Sequence, residues 1–336
     1  MTTNNFWNRV LRTAQKRWST ATVFMGLICL VGVTASSSIR PSTTIDDDAE
    51  GRFNQVCIVD DERINEASGL ACSIRDPALL WMHNDSGDLP RLFCVDQTGK
   101  TRAVVTLAGV NPFDWEDMCS FEWQGESWLL VADFGDNARK RGAGNVAGTN
   151  PVCQLLLIPE PQIPTLVDQV AELTVKPTAV VDFIWEDGAH NCESIGVDTS
   201  SGQVLMVLKS LPHKCGLYSF DLSTLMPRNH SSEAKPTGLV TARRVVGFGV
   251  PFATGMDVSA DNRYMAVVTP LTGFLIHRQL DESWVDALQR PPTSLILPPR
   301  KQGETVCFSR DGKFLLLNSE LEQQPLWRMQ IVADKN

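Results

Sequence analysis

Five positions in the chain repeat one chemical theme. Glu66, Glu116, Glu193, Thr254 and Glu304 open the segments EASGLA, EDMCSF, ESIGVD, TGMDVS and ETVCFS. In each, an oxygen-bearing side chain comes first, apolar residues follow two or four positions later, and a turn signal ends the segment. Carboxylates brought to one point cannot all stay charged and unpaired, because repulsion and desolvation raise their pKa values. A calcium ion would relieve them, since it takes several hard oxygen ligands in flexible geometry. The plainer alternatives are that each glutamate caps its segment through backbone hydrogen bonds, or that the ion is purely structural.

The elements that must position these residues follow from what lies behind them. A second apolar run comes after each segment: LLWMHND, SWLLVAD, VLMVLKS, YMAVVTP and FLLLNSE. Strand, tight turn and strand, recurring at intervals long enough for four strands each, predict an all-β chain and a five-bladed β-propeller. Six blades would require splitting the long second repeat, where AELTV and AVVDF supply spare strands. The last repeat offers three strands of its own. The apolar stretch Asn54 to Asp60 can therefore complete it, closing the ring and removing an exposed edge. DESWVDALQR has helical spacing and interrupts the fourth repeat.

Antiparallel neighbours place the start of each first strand beside the end of the second. One mouth of the ring should then collect Glu66, Glu116, Glu193, Thr254 and Glu304 as metal ligands. Asn84, Asp85, Asp136, Asn137 and Lys209 follow second strands on that face, and Arg91 opens a third strand nearby. Such a mouth could hydrolyse phosphate esters or anhydrides: the ion polarises phosphate oxygens and orients a water. Asp85 or Asp136 would serve as base. Arg91 and Lys209 would hold the phosphate, with Asn84, Asn137 and Arg141 as further binding residues. The two stretches that supply most of them, HNDSGD and DFGDNARKR, are also ordinary turn compositions.

Composition narrows the classes. With 336 residues, 43% of them apolar, the chain can bury a substantial core. Arg9, Arg12, Lys16 and Arg17 precede an apolar run from Ala21 to Ala35 that ends in small residues. Residues 1–35 thus read as a secretory signal, or as an anchor centred on residues 18–38. Residues 36–53 read as a linker and 54–336 as the exported, periplasmic or extracellular domain, touching a membrane only through an uncleaved N-terminus. The net charge of −9 becomes more negative without those four basic residues, which excludes nucleic-acid binding through bulk charge and suits divalent cations, while a small anionic ligand would be held by the ion and the basic residues of the mouth. Nine cysteines without a CxxC pair give no zinc motif, and three of them, Cys72, Cys119 and Cys307, fall in expected inner strands as buried thiols. No GxSxG, Walker loop, HExxH or GxGxxG occurs.

WMHNDSGDLPRLFCVD, DWED, ADFGDNARKR and ESIGVD together resemble a widespread family of secreted bacterial propeller proteins that share HNDSGD, DWED and GDN motifs. That resemblance implies a fold and no activity. More distantly, the chain resembles the calcium-dependent apyrases, or calcium-activated nucleotidases. In that family glutamate or serine from each inner strand of five blades surrounds one axial calcium, and nucleoside di- and triphosphates are hydrolysed. Glu66, Glu116, Glu193, Thr254 and Glu304 match one per repeat, with threonine where the family tends to have serine. Asn84-Asp85-Ser86-Gly87 looks like the aspartate-rich turn after the family's second strand, with asparagine in place of the first acid. Two further readings stand beside the hydrolase. One is a non-catalytic ligand- or protein-binding propeller of the cell envelope. The other is a five-bladed glycosidase, which needs two carboxylates at a defined separation.

Overall fold

The computed structural model describes residues 53–137, 140–141, 152–165, 169–227 and 239–331. The expected signal segment, nearly all of the linker and the insertion from Gly142 to Pro151 lie outside the described residues. The described chain is nearly all β. In the order of the sequence come β1 (Phe53–Ile58), β2 (Ala67–Cys72), β3 (Leu79–Asn84), β4 (Arg91–Asp96) and β5 (Thr101–Leu107). β6 (Trp115–Trp123), β7 (Glu126–Asp133), β8 (Cys153–Pro159), β9 (Ala171–Val175) and β10 (Ala179–Trp185) follow. Then come β11 (Cys192–Asp198), β12 (Gln203–Leu208), β13 (Gly216–Asp221) and β14 (Val240–Gly247). The last third holds β15 (Gly255–Val258), β16 (Tyr264–Val268), β17 (Gly273–His277), β18 (Thr293–Leu295), β19 (Thr305–Phe308), β20 (Phe314–Asn318) and β21 (Pro325–Gln330). A short helix, α1 (Trp284–Ala287), precedes β18 and is capped by the Ser283 side chain.

These strands form antiparallel meanders. β2 to β5 make one, and β9 adds to its outer edge in parallel with β5. β6, β7, β8 and β10 make the next, and its outer strand β10 pairs in parallel with β14 of the meander β11 to β14, joining the two into one eight-stranded sheet. β15 to β18 form a sheet of their own, and β19, β20 and β21 are completed by β1, antiparallel to β21. The two spare strands of the second repeat are thus divided: AVVDF stays with its own meander, whereas AELTV crosses to the edge of its neighbour.

The first strands of successive meanders pack side by side in a cycle, β2 on β6, β6 on β11, β11 on β15, β15 on β19 and β19 on β2. β2 and β11 are buried along their whole length, as strands covered on both faces must be. β10, nearer the surface, alternates buried and half-buried residues with period two. Apolar clusters fill the spaces between neighbouring meanders. Trp81, Leu92, Trp115 and Leu156 lie between the first two, and Leu70, Phe93, Cys307 and Leu326 between the first and the last. Each fully buried side chain of that size contributes about 1.5–3 kcal/mol relative to an exposed one. The arrangement is propeller-like.

Two acids outside the expected site lie among the inner strands, Asp117 buried and Asp257 half-buried. Asp117 of β6 accepts hydrogen bonds from the backbone N–H groups of Ile195 (2.8 Å) and Met256 (3.2 Å), so one carboxylate joins three meanders. Asp257 of β15 accepts from Phe308 N (2.8 Å) and Val258 N (2.8 Å). Burial raises both carboxyl pKa values, that of Asp257 to about 7.

Candidate functional site

At the end of the cycle where the first strands begin, Glu116, Glu193 and Glu304 bring carboxylate oxygens within 4.8 Å of one another. Asp85, Asp114 and Glu116 form a second triad of the same tightness, so Glu116 belongs to both. Strand register makes this possible. At the open end of its hairpin, β6 pairs Trp115 with Asp133 and then Asp117 with Ala132, leaving Glu116 bulged out between the pairs. β11 does the same between Cys192 and Ile195, where Glu193 and Ser194 carry the irregularity.

In β2 the corresponding bulge, between Ala67 and Gly69, holds Ser68. The ring position of the first meander is therefore Ser68, fully buried, with its hydroxyl donating to the Glu116 carbonyl. Glu66 lies two residues earlier, exposed, outside both triads. Its true counterpart is Asp114: the Glu66 N–H donates to Asn84 Oδ1 (3.2 Å), as the Asp114 N–H donates to Asp133 Oδ1 (3.0 Å). Thr254 is fully buried, and its hydroxyl donates to the Gly303 carbonyl (3.1 Å) at the start of the next repeat. Like Ser68 it ties neighbouring meanders together.

Lys209, just after β12, points into the first triad. Its ammonium pairs with Glu193 Oε2 and lies 3.9 Å from Glu304 Oε1. The other Glu193 oxygen accepts from Asn137 Nδ2 (3.1 Å) and Asn191 Nδ2 (3.2 Å). Burial works against the charged ammonium, but Glu193, Glu304 and Glu116 outweigh it and raise the Lys209 pKa. The carboxyls move the other way from their ordinary charged state. Burial, then Glu193 and Asp85, hold Glu116 well above the usual carboxylate range, and burial with Glu193 does the same for Glu304. Asp85 is pushed up to about 8, chiefly by burial. Glu116 is 1% exposed, and its Oε1 has no hydrogen-bond partner. A buried carboxyl oxygen without a partner is costly, and a cation fits it. Arg300 also lies beside Glu304, with the Nε and Nη1 donors of its guanidinium buried and unpaired.

Several residues expected to bind substrate have other work. Arg141 is buried: it pairs with Asp133, donates Nε to the Gly135 carbonyl (2.7 Å) and stacks over Phe113 at 4.7 Å. It braces a loop and has no fork left for phosphate. Asp136, 5% exposed, accepts from the Arg141 backbone N–H (3.0 Å), which staples the loop, and it stands in neither triad. Asn84 donates to the Arg63 carbonyl (2.7 Å) and to Asp88 (2.8 Å), and Arg91 pairs with Asp88 (2.7 Å) across the HNDSGD turn. Both hold the turn in shape. Asp114, Asn191 and Arg300 are site residues the sequence reading left out. DWED did carry a signal for the first, because residues two apart on an extended chain share a face.

Away from this mouth, a cavity of about 270 Å³ opens where the first strands end, lined by Cys72, Phe121, Asp257, Asn262, Phe308 and Arg310 among others. It does not reach the carboxylates.

No known sequence family and no curated protein matches the chain. Among solved structures, it is similar to the PQQ-bound aldose sugar dehydrogenase of Streptomyces coelicolor, at 9% identity and a TM-score of 0.47, over 82% of this chain and 97% of that one. It is also similar to a chain of the nidogen/laminin complex, at 10% identity and a TM-score of 0.41, over 76% of this chain and 72% of that one. Likeness at this level carries no function across; the propeller-like arrangement stands on the strand pairings of the chain itself.

Proposed function

We propose that the chain is an exported, five-bladed propeller that hydrolyses phosphate esters or anhydrides with calcium held at the mouth of its axis. The observation that carries this reading is the buried, partnerless Oε1 of Glu116, set among the carboxylates of Asp85, Asp114, Glu193 and Glu304. The cycle of five first strands supports the blade count, and the basic and apolar stretches before Ser36 support export.

Glu116, Glu193 and Glu304 would hold the ion, which when bound supplies a Lewis acid for a phosphate oxygen. Lys209 keeps donors free beyond the one that meets Glu193, and these would hold the phosphate charge. Asp85, half-buried at the rim, would take a proton from the attacking water. Screening the chelator-stripped domain against nucleotides and phosphate esters tests the reading: turnover should require calcium and stop on chelation.

A second reading is a calcium-bearing face that binds an anion without turnover. The commitment of Arg91 and Arg141 to internal ion pairs favours it, because it leaves fewer cations to steady a transferring phosphoryl group. Calcium-dependent binding of phosphate ligands with no release of phosphate would select it over the hydrolase.

A further inference from the structure

We propose that the mouth holds two calcium ions, one in each carboxylate triad, with Glu116 bridging them. This rests on the reading of the mouth as a calcium site and goes beyond its single axial ion.

Each triad has its own geometry. Glu116, Glu193 and Glu304 gather oxygens within 4.8 Å, and Asp85, Asp114 and Glu116 do so independently. A carboxylate has two oxygens, so one residue can serve two ions, and two-metal centres place their ions roughly 3.5–4 Å apart. The backbone comes close to the shared residue at Gly135. A Cβ there would lie 2.0 Å from Glu116 Oε1 and 2.7 Å from Asp114 Oδ2, so only glycine lets the two carboxylates sit against this stretch of chain.

Charge then separates the triads. Lys209 answers the first through Glu193 and Glu304. Among the described residues no ion pair reaches Asp85, Asp114 or Glu116. The nearby Arg141 is spent on Asp133. Glu116, 1% exposed and with its Oε1 left without a donor, belongs to the triad that lacks a cation as well as to the one that has it. Five carboxylates stand against the Lys209 ammonium and, beside Glu304, the Arg300 guanidinium, and neither cation pairs with Asp85 or Asp114. Divalent ions would offset that excess of acids over cations. Oxygen-only ligands in irregular geometry suit calcium.

The test counts ions. Chelator-stripped protein is titrated calorimetrically with calcium, and equilibrium dialysis with radioactive calcium gives the number bound. Wild type should bind two per chain and Asp114→Asn one, with thermal unfolding showing that the variant is folded. Asp85→Asn should give the same count and serves if Asp114→Asn does not fold. One ion in both wild type and variant overturns the two-ion centre and leaves the single-ion reading standing. Two ions in the variant also overturn it, because the second ion then lies elsewhere. No binding to wild type removes both readings.

Discussion

The ammonium of Lys209 pairs with Glu193, a carboxylate only 1% exposed, so the acidic mouth carries a cation of the protein's own inside its first triad. Breaking a buried pair by removing one partner costs about 3–5 kcal/mol, because the other charge is left stranded. Lys209 is about one-fifth exposed, which places the cost at the lower end. Lys209→Met should therefore lower stability by about 3 kcal/mol in chelator. Calcium should recover most of that loss by supplying the missing charge. Thermal unfolding with and without calcium checks both parts; a loss that calcium leaves untouched would mean that the ion does not enter this triad.

Glu66 and Glu193 separate the sequence register from the observed one. Glu66 is exposed and outside both triads, whereas Glu193 is in the first. Glu66→Gln should leave calcium affinity within about twofold of wild type. Glu193→Gln keeps the shape, removes a ligand charge, and should weaken binding at least tenfold, about 1.4 kcal/mol. Calorimetric titration of both variants decides between the registers.

Stability should fall as pH rises through neutrality in calcium-free buffer. Asp85 and Asp257 titrate near 8 and 7 in the folded protein and near 3.8 when unfolded. Between those values the folded state binds more protons than the unfolded one, so raising the pH favours unfolding. The loss should run from about pH 4 to about pH 8. Calcium should remove the share belonging to Asp85, which lies in a triad, and spare the share of Asp257, which lies near the opposite mouth. Denaturant melts across that range for wild type and Asp257→Asn check the assignment. An unchanged pH slope in the variant would refute it.

Arg141 should behave as a brace. Its fork joins Asp133 and the Gly135 carbonyl beneath the aromatic face of Phe113. Arg141→Met should cost about 3 kcal/mol. Arg141→Lys should recover little, since an ammonium cannot reproduce the fork. If Arg141 instead contacted substrate, both variants would keep wild-type stability and lose ligand affinity.

Most strands and four residues of the mouth were legible in the sequence. Alternating apolar runs and turn signals are local properties, and so is the shortage of a fourth strand in the last repeat, which β1 fills. Glu116, Glu193, Glu304 and Lys209 were legible because each stands at a fixed offset from an apolar run. Tertiary structure alone decided the register at the ring. EASGLA and EDMCSF align on their glutamates as text, yet the bulge in β2 holds Ser68 and sets Glu66 aside with Asp114, because pairing with β3 chooses which residue is left over. It also decided which charges are free. Arg141 and Arg91 read as anion ligands until Asp133 and Asp88 stand beside them. The backbone donors that hold Asp117 come from strands more than seventy residues further along the chain. Such contacts depend on how distant segments meet, and no local pattern encodes that.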